Sequence, residues 1–184
     1  MARVLSTADE RRETVLRTAV GTFATRGYYG TTTTEVAKRA GISQAYVYRL
    51  FPNKEALFVS VVERTFDQVR DALARGAAAA KGSGPEAVLG AMGDAYAKLI
   101  ADQDLLLVQI HAQAAAASEP VVREAVQRGY AVMVEYVRSV SGAPESDIQH
   151  FFSVGMLCHL VVAMGAEKVD APWAKLLSNG IRHY

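Results

Sequence analysis

Hydrophobic residues recur at intervals of three and four along most of the chain, the spacing that places them on one face of an α-helix. The pattern predicts about nine helices, with the first four over residues 8–26, 32–40, 43–51 and 53–75. The other five are predicted to begin near residues 85, 104, 120, 145 and 172. Glycine-, alanine- and proline-containing stretches separate several of them. The expected fold class is therefore all-α.

The third predicted helix has the pattern of a short helix with one buried face. Val47, Leu50 and Phe51 lie three and four residues apart and are expected to pack inward. The opposite face carries polar and small side chains, namely Gln44, Ala45, Tyr48 and Arg49. A tight turn and another short helix precede it, and this order is typical of a helix-turn-helix whose second helix reads DNA.

The ends of these helices carry capping residues. Ser43 can accept a hydrogen bond from a free N–H group of the third helix, and Gly41 suits the left-handed residue that ends the second. Thr32 and Glu35 fit a capping box, so the run of four threonines here is predicted to open a helix and not to form a strand. Asn53 is a good N-cap for the fourth helix, which is long enough to connect two domains rigidly.

Basic residues are concentrated in the N-terminal part. The formal net charge of the 184-residue chain is only +1, but residues 1–54 hold nine Lys and Arg against four acids. The remaining residues hold 11 basic groups against 15 acidic ones. The N-terminal part is therefore the candidate for binding a phosphate backbone, with a solvated basic surface as the alternative. We expect a helix-turn-helix domain over residues 1–54 and a second domain over residues 55–184.

Composition bounds the class of protein. Hydrophobic residues make up 51% of the chain and there are five prolines, which favours packed helices. Cys158 is the only cysteine, so an intrachain disulfide is excluded. The most apolar run, residues 151–165, is shorter than the roughly 20 residues needed to span a bilayer, and the N-terminus lacks the pattern of a signal peptide. A soluble cytoplasmic protein without membrane association is expected.

The N-terminal residues resemble the TetR family of bacterial transcriptional regulators. The resemblance covers about residues 10–60 through an ordered set of positions: Phe23, Gly27, Thr31–Thr32, Val36–Ala37, Ala40–Ser43, Val47–Tyr48, Phe51 and Lys54–Leu57. It implies a helical homodimer in which a long helix joins the helix-turn-helix domain to a C-terminal domain for ligand binding and dimerisation. Ala45, Tyr46 and Leu50 depart from the family pattern, so no operator sequence can be transferred from a relative.

The predicted contacts to double-stranded DNA lie at the starts of the second, third and fourth helices. Gln44 could bond adenine and Ala45 could touch a thymine methyl group in the major groove, whereas a solvated glutamine is the alternative. The resemblance implies phosphate contacts for Tyr48, whose alternative is half-buried packing, and for Lys54. Hydroxyls and free N–H groups at the second helix's start also suit a phosphate. The predicted set is Thr32, Thr33, Thr34, Ser43, Gln44, Ala45, Tyr46, Tyr48, Arg49 and Lys54.

Dimerisation is expected because one two-turn helix makes few base contacts, and a two-fold dimer doubles them on a palindromic operator. The eighth helix mixes large and small apolar side chains suited to close packing and is the predicted interface, together with the last helix. The candidates are Phe151, Phe152, Gly155, Met156, Leu160, Val162, Ala163, Trp173, Leu177 and Ile181. Burial within one subunit is the alternative.

A pocket for an unknown small-molecule effector is expected in the C-terminal domain, where apolar side chains and a few polar groups can line a cavity. The candidates are Met92, Tyr96, His111, Gln113, Tyr130, Met133 and His159, and ordinary core packing is the alternative for each. The two histidines and Cys158 lack partners at metal-ligand spacing, so no metal site and no cofactor are predicted.

Together these features predict a ligand-responsive transcriptional repressor that binds a palindromic operator as a homodimer and is released by a small molecule. A helical protein-interaction module that does not bind DNA is the first alternative, and a small helical enzyme is the second. The sequence contains no nucleophile elbow, P-loop or dinucleotide fingerprint, so no catalytic activity is expected.

Overall fold

The computed structural model describes residues 8–181, and within that range every regular element is a helix. The α-helices are α1 (Ala8–Gly30), α2 (Thr33–Ala40), α3 (Gln44–Leu50), α4 (Lys54–Ala78), α5 (Pro85–Leu99), α6 (Gln103–Ala116), α7 (Pro120–Ser141), α8 (Glu145–Met164) and α9 (Pro172–Ser178). A 3₁₀ turn covers Ala166–Lys168. The predicted all-α class and the predicted number of helices are confirmed for the described residues.

The predicted caps explain where the short helices begin and end. The hydroxyl groups of Thr32 and Ser43 each accept a hydrogen bond of 3.2 Å from the backbone N–H three residues later. The side chain of Asn53 accepts a 2.7 Å hydrogen bond from the first turn of α4 in the same way. Gly41, with φ 66° and ψ 31°, ends α2 in the left-handed conformation that glycine adopts without steric cost.

The first helix does not end at Gly27, as predicted, but is kinked there. Gly27 has φ 66° and ψ −176°, and one further turn of helix follows it. Just before the kink, Arg26 pairs with the Glu35 carboxylate at 3.2 Å. Glu35 was predicted to complete a capping box with Thr32, and its backbone N–H does so, whereas its carboxylate is engaged by Arg26.

The chain forms two compact units. The first contains the residues up to Thr65 together with Val108–Val126, and the second contains Phe66–Leu107 together with the residues from Gln127 onward. The first unit extends past the boundary expected after residue 54. In this unit, the side chains of His111 in α6 and of Ser118 and Glu119, between α6 and α7, hydrogen-bond to α1.

Aromatic rings occupy the centre of the first unit. The rings of Phe23 and Phe58 lie 4.7 Å apart, and Tyr28 lies 5.1 Å from Phe58. Val36 from α2 and Val47 from α3 are fully buried in the same unit. Because each short helix contributes a buried residue, the packing fixes the orientation of α2 and α3.

The second unit has an apolar cluster contributed by α4, α5, α7 and α8. Its buried members are Val69, Leu73, Val88, Met92, Met133, Val137 and Ile148. A smaller cluster of Val161, Ala166 and Ala174 joins α8 to α9. The fourth helix thus contributes to the cores of both units, since Leu57 and Phe58 near its start are also buried.

The eighth helix begins at residue 145, as predicted, and is longer than the most apolar run, residues 151–165. It begins at Glu145 and has 20 residues, so by length and composition alone it is long enough to cross a membrane. The length argument against a membrane span therefore applies to the apolar run alone and not to the whole helix, which starts before that run. One side of α8 buries Cys158, His159 and Val161 within the second unit.

Candidate nucleic-acid interface

The third helix is anchored on its inner side and at its C-terminal end. Val47 and Phe51 are fully buried. The Arg12 guanidinium donates hydrogen bonds to the carbonyl oxygen of Leu50 at 2.9 Å and to the hydroxyl of Ser60 at 3.2 Å. It also lies 4.2 Å from the centre of the Phe51 ring. One arginine from α1 therefore satisfies a free carbonyl at the end of α3 and holds that end against α4.

No pattern in the sequence indicates this role of Arg12. Its two hydrogen-bond partners lie 38 and 48 positions away, so neither helical spacing nor a local motif connects them. The next residue, Glu13, makes a comparable link, because its carboxylate pairs with Arg64 of α4 at 2.5 Å. Arg12 and Glu13 therefore help to hold α3 and α4 in place, and neither residue was predicted as part of the site.

The outer face of α3 is open to solvent as predicted from its spacing. Gln44, Ala45, Tyr48 and Arg49 are exposed, and so is the capping residue Ser43. Tyr46 differs from these, because it is half-buried and the Arg11 guanidinium lies 5.4 Å from the centre of its ring. The structure therefore brings five of the six predicted α3-region contacts together on one surface, with Tyr46 at its edge.

The three threonines at the start of α2 occupy different positions. Thr32 and Thr34 are exposed beside the helix N-terminus, where free N–H groups and the helix dipole favour an anion. Thr33 is only 5% exposed. Its hydroxyl accepts a 3.0 Å hydrogen bond from the Gln44 amide and donates one of 3.0 Å to the Tyr48 hydroxyl. We therefore place Thr33 behind the surface and not on it.

The ammonium group of Lys54 caps the end of α1. Its Nζ lies 3.0 Å from the carbonyl oxygen of Tyr28 and 4.4 Å from the centre of the Tyr28 ring. Burial, with Glu119 and Glu55 as further causes, raises the pKa of Tyr28 to about 12, so its phenol is neutral beside the ammonium. An ammonium has three N–H donors, so a phosphate can accept a hydrogen bond from an N–H group that does not bond to Tyr28.

The predicted pocket residues divide between the two units. Met92, Tyr96, Tyr130, Met133 and His159 lie in the second unit, whereas His111 and Gln113 lie in the first. Met92 and Met133 are buried members of the apolar cluster. The Tyr130 ring packs edge-on against Phe66 and its hydroxyl contacts the sulfur of Met156.

Tyr96 and His159 form a polar pair in this apolar surrounding. The Tyr96 hydroxyl and His159 Nε2 lie 2.5 Å apart, and His159 is 5% exposed. Its other ring nitrogen, Nδ1, has no hydrogen-bond partner among the described residues. Burial lowers the pKa of His159 to about 4, so the ring is neutral at pH 7. Among residues 8–181, no three His, Cys, Asp or Glu side chains form a group that could hold a metal.

The predicted interface residues of α8 and α9 lie on two different faces. Phe151 and Phe152 pack against the apolar cluster of the second unit, and Leu177 and Ile181 pack against the smaller cluster. Gly155 and Val162 are half-buried. The outward-facing members are Met156, Leu160, Ala163 and Trp173, to which the structure adds Met164 and Leu176. In the described part of the chain, these residues give α8 and α9 an exposed apolar face.

Comparison with known proteins matches the N-terminal segment to one family. The model of bacterial regulatory proteins of the tetR family matches residues 15–61, which include α2, α3 and the start of α4. Among curated relatives, the transcriptional activator FasR of Mycolicibacterium smegmatis is 39% identical over 61 residues, which are 33% of this chain and 28% of that protein. The matched segments span 19–31% of the length of such relatives.

Solved structures share the fold over nearly the whole chain. A TetR-family regulator from Agrobacterium tumefaciens has a TM-score of 0.73 at 16% identity, covering 96% of both chains. FadR from Bacillus subtilis, solved in complex with stearoyl-CoA, has a TM-score of 0.70 at 19% identity and covers 92% of this chain and 94% of that one. At these identities the likeness extends to the fold of the C-terminal helices and not to their ligand.

Proposed function

Because the chain belongs to the TetR family of bacterial regulatory proteins, we propose that it is a ligand-responsive transcriptional repressor. It binds a palindromic operator as a homodimer and is released by a small molecule. One observation carries the proposal: α3 is buried along Val47 and Phe51 and held at its end by Arg12, while its polar face is open to solvent. An exposed, rigidly held polar helix of this kind suits the major groove.

The proposed DNA contacts divide into two kinds. Gln44 and Ala45, at the start of α3, contact base edges, as side chains at this end of a recognition helix do. Thr32, Thr34, Tyr48 and Lys54 contact phosphates, and Arg49 contacts the backbone or a base. Phosphate contacts set the position of the protein on the duplex, whereas base contacts set its sequence preference. The two groups are therefore expected to respond differently to substitution.

The proposed dimer contact is the exposed apolar face of α8 and α9. Met156, Leu160 and Met164 recur every four residues along α8 and are 41–48% exposed. Trp173 and Leu176 on α9 are 49% and 76% exposed. An exposed apolar face of this kind marks an interaction site, and a second copy would cover it with the same face by two-fold symmetry. The opposite side of α8 already packs within its own unit, as expected for a helix in the wall of a folded domain.

The proposed effector site lies in the apolar cluster of the second unit, around Tyr96 and His159. Apolar walls with a few placed polar groups are typical of small-molecule sites. Because the side chains packed around Tyr96 are apolar, we infer a largely apolar effector for this chain. The fourth helix contributes Val69 and Leu73 to this cluster and Leu57 to the first unit. A ligand that favours another orientation of α4 would shift the dimer away from the DNA-binding state.

The test is duplex binding by the full chain at several salt concentrations. The probe is a duplex that the chain selects from a randomised library, with a scrambled duplex of the same composition as the control. If Arg49 and Lys54 each neutralise one phosphate in both protomers, the slope of log K against log salt should be about −3.6. Absence of binding at low salt would overturn the proposal and favour the protein-interaction module.

The direction of regulation needs a separate measurement, since the relative FasR is named an activator. Deletion of the gene should raise transcription from the promoter that carries the selected sequence. A fall in transcription on deletion would contradict the repressor assignment while leaving DNA binding intact.

A further inference from the structure

A buried hydroxyl connects the two exposed side chains that α3 is proposed to use on DNA. Thr33, at the start of α2, is 5% exposed, whereas Gln44 and Tyr48 are exposed and lie one turn apart on α3. Gln44 Nε2 donates to Thr33 Oγ1 at 3.0 Å, and Thr33 Oγ1 donates to the Tyr48 oxygen at 3.0 Å. The three polar groups form one hydrogen-bonded chain across the α2–α3 contact.

The direction of these bonds determines which donors stay available. Because the Tyr48 oxygen accepts a hydrogen bond from Thr33, the phenolic O–H of Tyr48 points to another acceptor. A phosphate oxygen is an acceptor only, so it fits the end of this chain. In a chain that runs from Gln44 through Thr33 and Tyr48 to the phosphate, every donor then faces an acceptor. Hydrogen bonds in such a chain polarise and strengthen one another.

The same bonds fix the amide of Gln44. A glutamine on an exposed helix surface can adopt many rotamers, and ordering it costs conformational entropy. The amide nitrogen carries two N–H groups, and Thr33 occupies one of them. The Oε1 oxygen and the second N–H remain, and these are the two groups that a glutamine uses on the N6 and N7 atoms of adenine.

We propose that Thr33 is a positioning residue that couples the phosphate contact of Tyr48 to base reading by Gln44. This inference rests on the proposed function, since it assumes that α3 binds DNA. Thr33 touches no DNA itself. It holds the Gln44 amide in the orientation that reads a base, and a phosphate bound to Tyr48 strengthens that hold.

The test compares Thr33→Val with Thr33→Ser. Valine keeps the branched shape of threonine and removes the hydroxyl, whereas serine keeps the hydroxyl. The probes are the duplex selected by the unmodified chain and its scrambled counterpart. Thr33→Val should lower the ratio of selected-duplex affinity to scrambled-duplex affinity about tenfold, in the range of a lost base contact. Thr33→Ser should keep most of the ratio that the unmodified chain shows. Equal ratios for the two variants would overturn the proposal.

The exposed neighbour Thr34 provides a matched control on the same helix. Thr34→Val should weaken binding to both duplexes by a similar factor and leave their ratio unchanged. A ratio that falls equally in Thr33→Val and Thr34→Val would mean that the start of α2 is merely perturbed, which overturns the positioning role.

Coupling between the outer residues is the readout that a structural role would not change. With Thr33 present, Gln44→Ala and Tyr48→Phe should be non-additive in their effect on selected-duplex affinity; in the Thr33→Val background they should become additive. Additivity in both backgrounds would overturn the coupling. If the unmodified chain selects no duplex at all, it is the proposed function that fails and not this inference alone.

Discussion

The imidazole of His111 lies against the backbone of Gly27. A Cβ atom at position 27 would lie 2.9 Å from His111 Nδ1, and the Nε2 atom of the same ring lies 3.2 Å from the carbonyl oxygen of Ala24. The kink at Gly27 interrupts the regular bonding of α1, and a ring N–H from α6 can donate to a carbonyl of the turn before it. Gly27 and His111 therefore belong to one contact between α1 and α6, although they are far apart in sequence.

Gly27→Ala should destabilise the protein by about 3 kcal/mol. Its φ of 66° with ψ of −176° lies in a region that side chains other than glycine rarely enter, and the added methyl group would press on the His111 ring. The matched control is Gly41→Ala, where φ is also 66° but no atom lies within 4 Å of the added Cβ. That variant should lose only about 1 kcal/mol. Urea unfolding of both variants measures the difference.

Removing the His111 ring should reduce the loss of stability that Gly27→Ala causes. In the Gly27→Ala background, His111→Ala takes away the clash but not the backbone strain, so the two substitutions should be non-additive. Equal destabilisation by Gly27→Ala and Gly41→Ala would show that the His111 contact contributes nothing.

Lys54→Ala should reduce both DNA binding and stability. If Lys54 contacts a phosphate, the magnitude of the salt slope should fall by about 1 per protomer while the sequence preference is kept. The variant also loses the ammonium that caps Tyr28, which should lower the free energy of unfolding by about 0.5–1 kcal/mol. Lys38→Ala, an exposed lysine on α2, is the control and should change neither quantity much.

The two measurements separate the two roles of this lysine. A variant that loses stability but keeps the full salt slope would identify Lys54 as a cap of α1 alone. Its phosphate contact would then be wrong, and the electrostatic part of DNA binding would have to come from other groups such as Arg49.

Much of the helix-turn-helix could be predicted because its signals are local. Ser43, Thr32 and Asn53 cap helices within three residues of their own position, and Gly41 ends α2 by its own backbone freedom. Such contacts depend on adjacent residue types and therefore leave a pattern in the sequence. The spacing of Val47 and Phe51 identified the buried face of α3 for the same reason.

Contacts between distant parts of the chain left no such pattern. Nothing near Arg12 indicates that it bonds to Leu50, and nothing near Thr33 indicates that it bonds to Gln44 and Tyr48. Helical spacing places Thr33 on the same face of α2 as Val36 and Ala37, but its hydrogen-bond partners on α3 are decided by tertiary packing. The positions of His111 and His159 likewise differ, one bonding to α1 and one to Tyr96, although both were predicted as pocket residues.

The stability of the second unit should depend on pH through His159. Burial lowers its pKa to about 4, whereas an unfolded histidine has a pKa near 6.5. Between these values the unfolded chain binds more protons than the folded one, so the free energy of unfolding rises with pH. The contribution is complete above about pH 6.5 and is lost as pH falls to about 4, with an upper value of roughly 3 kcal/mol.

His159→Gln should remove this pH dependence, since its amide can still bond to Tyr96 but does not titrate. Urea unfolding between pH 7 and pH 4.5 should show a smaller loss for this variant than for the unmodified chain. The control is His150→Gln, an exposed histidine on the same helix, whose loss should parallel that of the unmodified chain. Parallel curves for all three proteins would contradict the role of His159.

Leu160→Glu should convert the protein to a monomer. Leu160 is 48% exposed in one chain, in the middle of the apolar face of α8, and a carboxylate there would be buried without a partner in the dimer. Val121→Glu is the control, because Val121 is also 48% exposed but lies at the start of α7, outside that face. Sedimentation at micromolar concentration should give a dimer for the unmodified chain and for Val121→Glu, and a monomer for Leu160→Glu.

The same variants distinguish a second copy from a lipid surface as the cover of α8. A dimer interface requires that Leu160→Glu also weakens binding to a palindromic duplex, because the paired recognition helices are then no longer held together. An unmodified chain that sediments as a monomer and floats with phosphatidylcholine vesicles would contradict the interface. In that case the length and apolar composition of α8 would have to be explained by a bilayer.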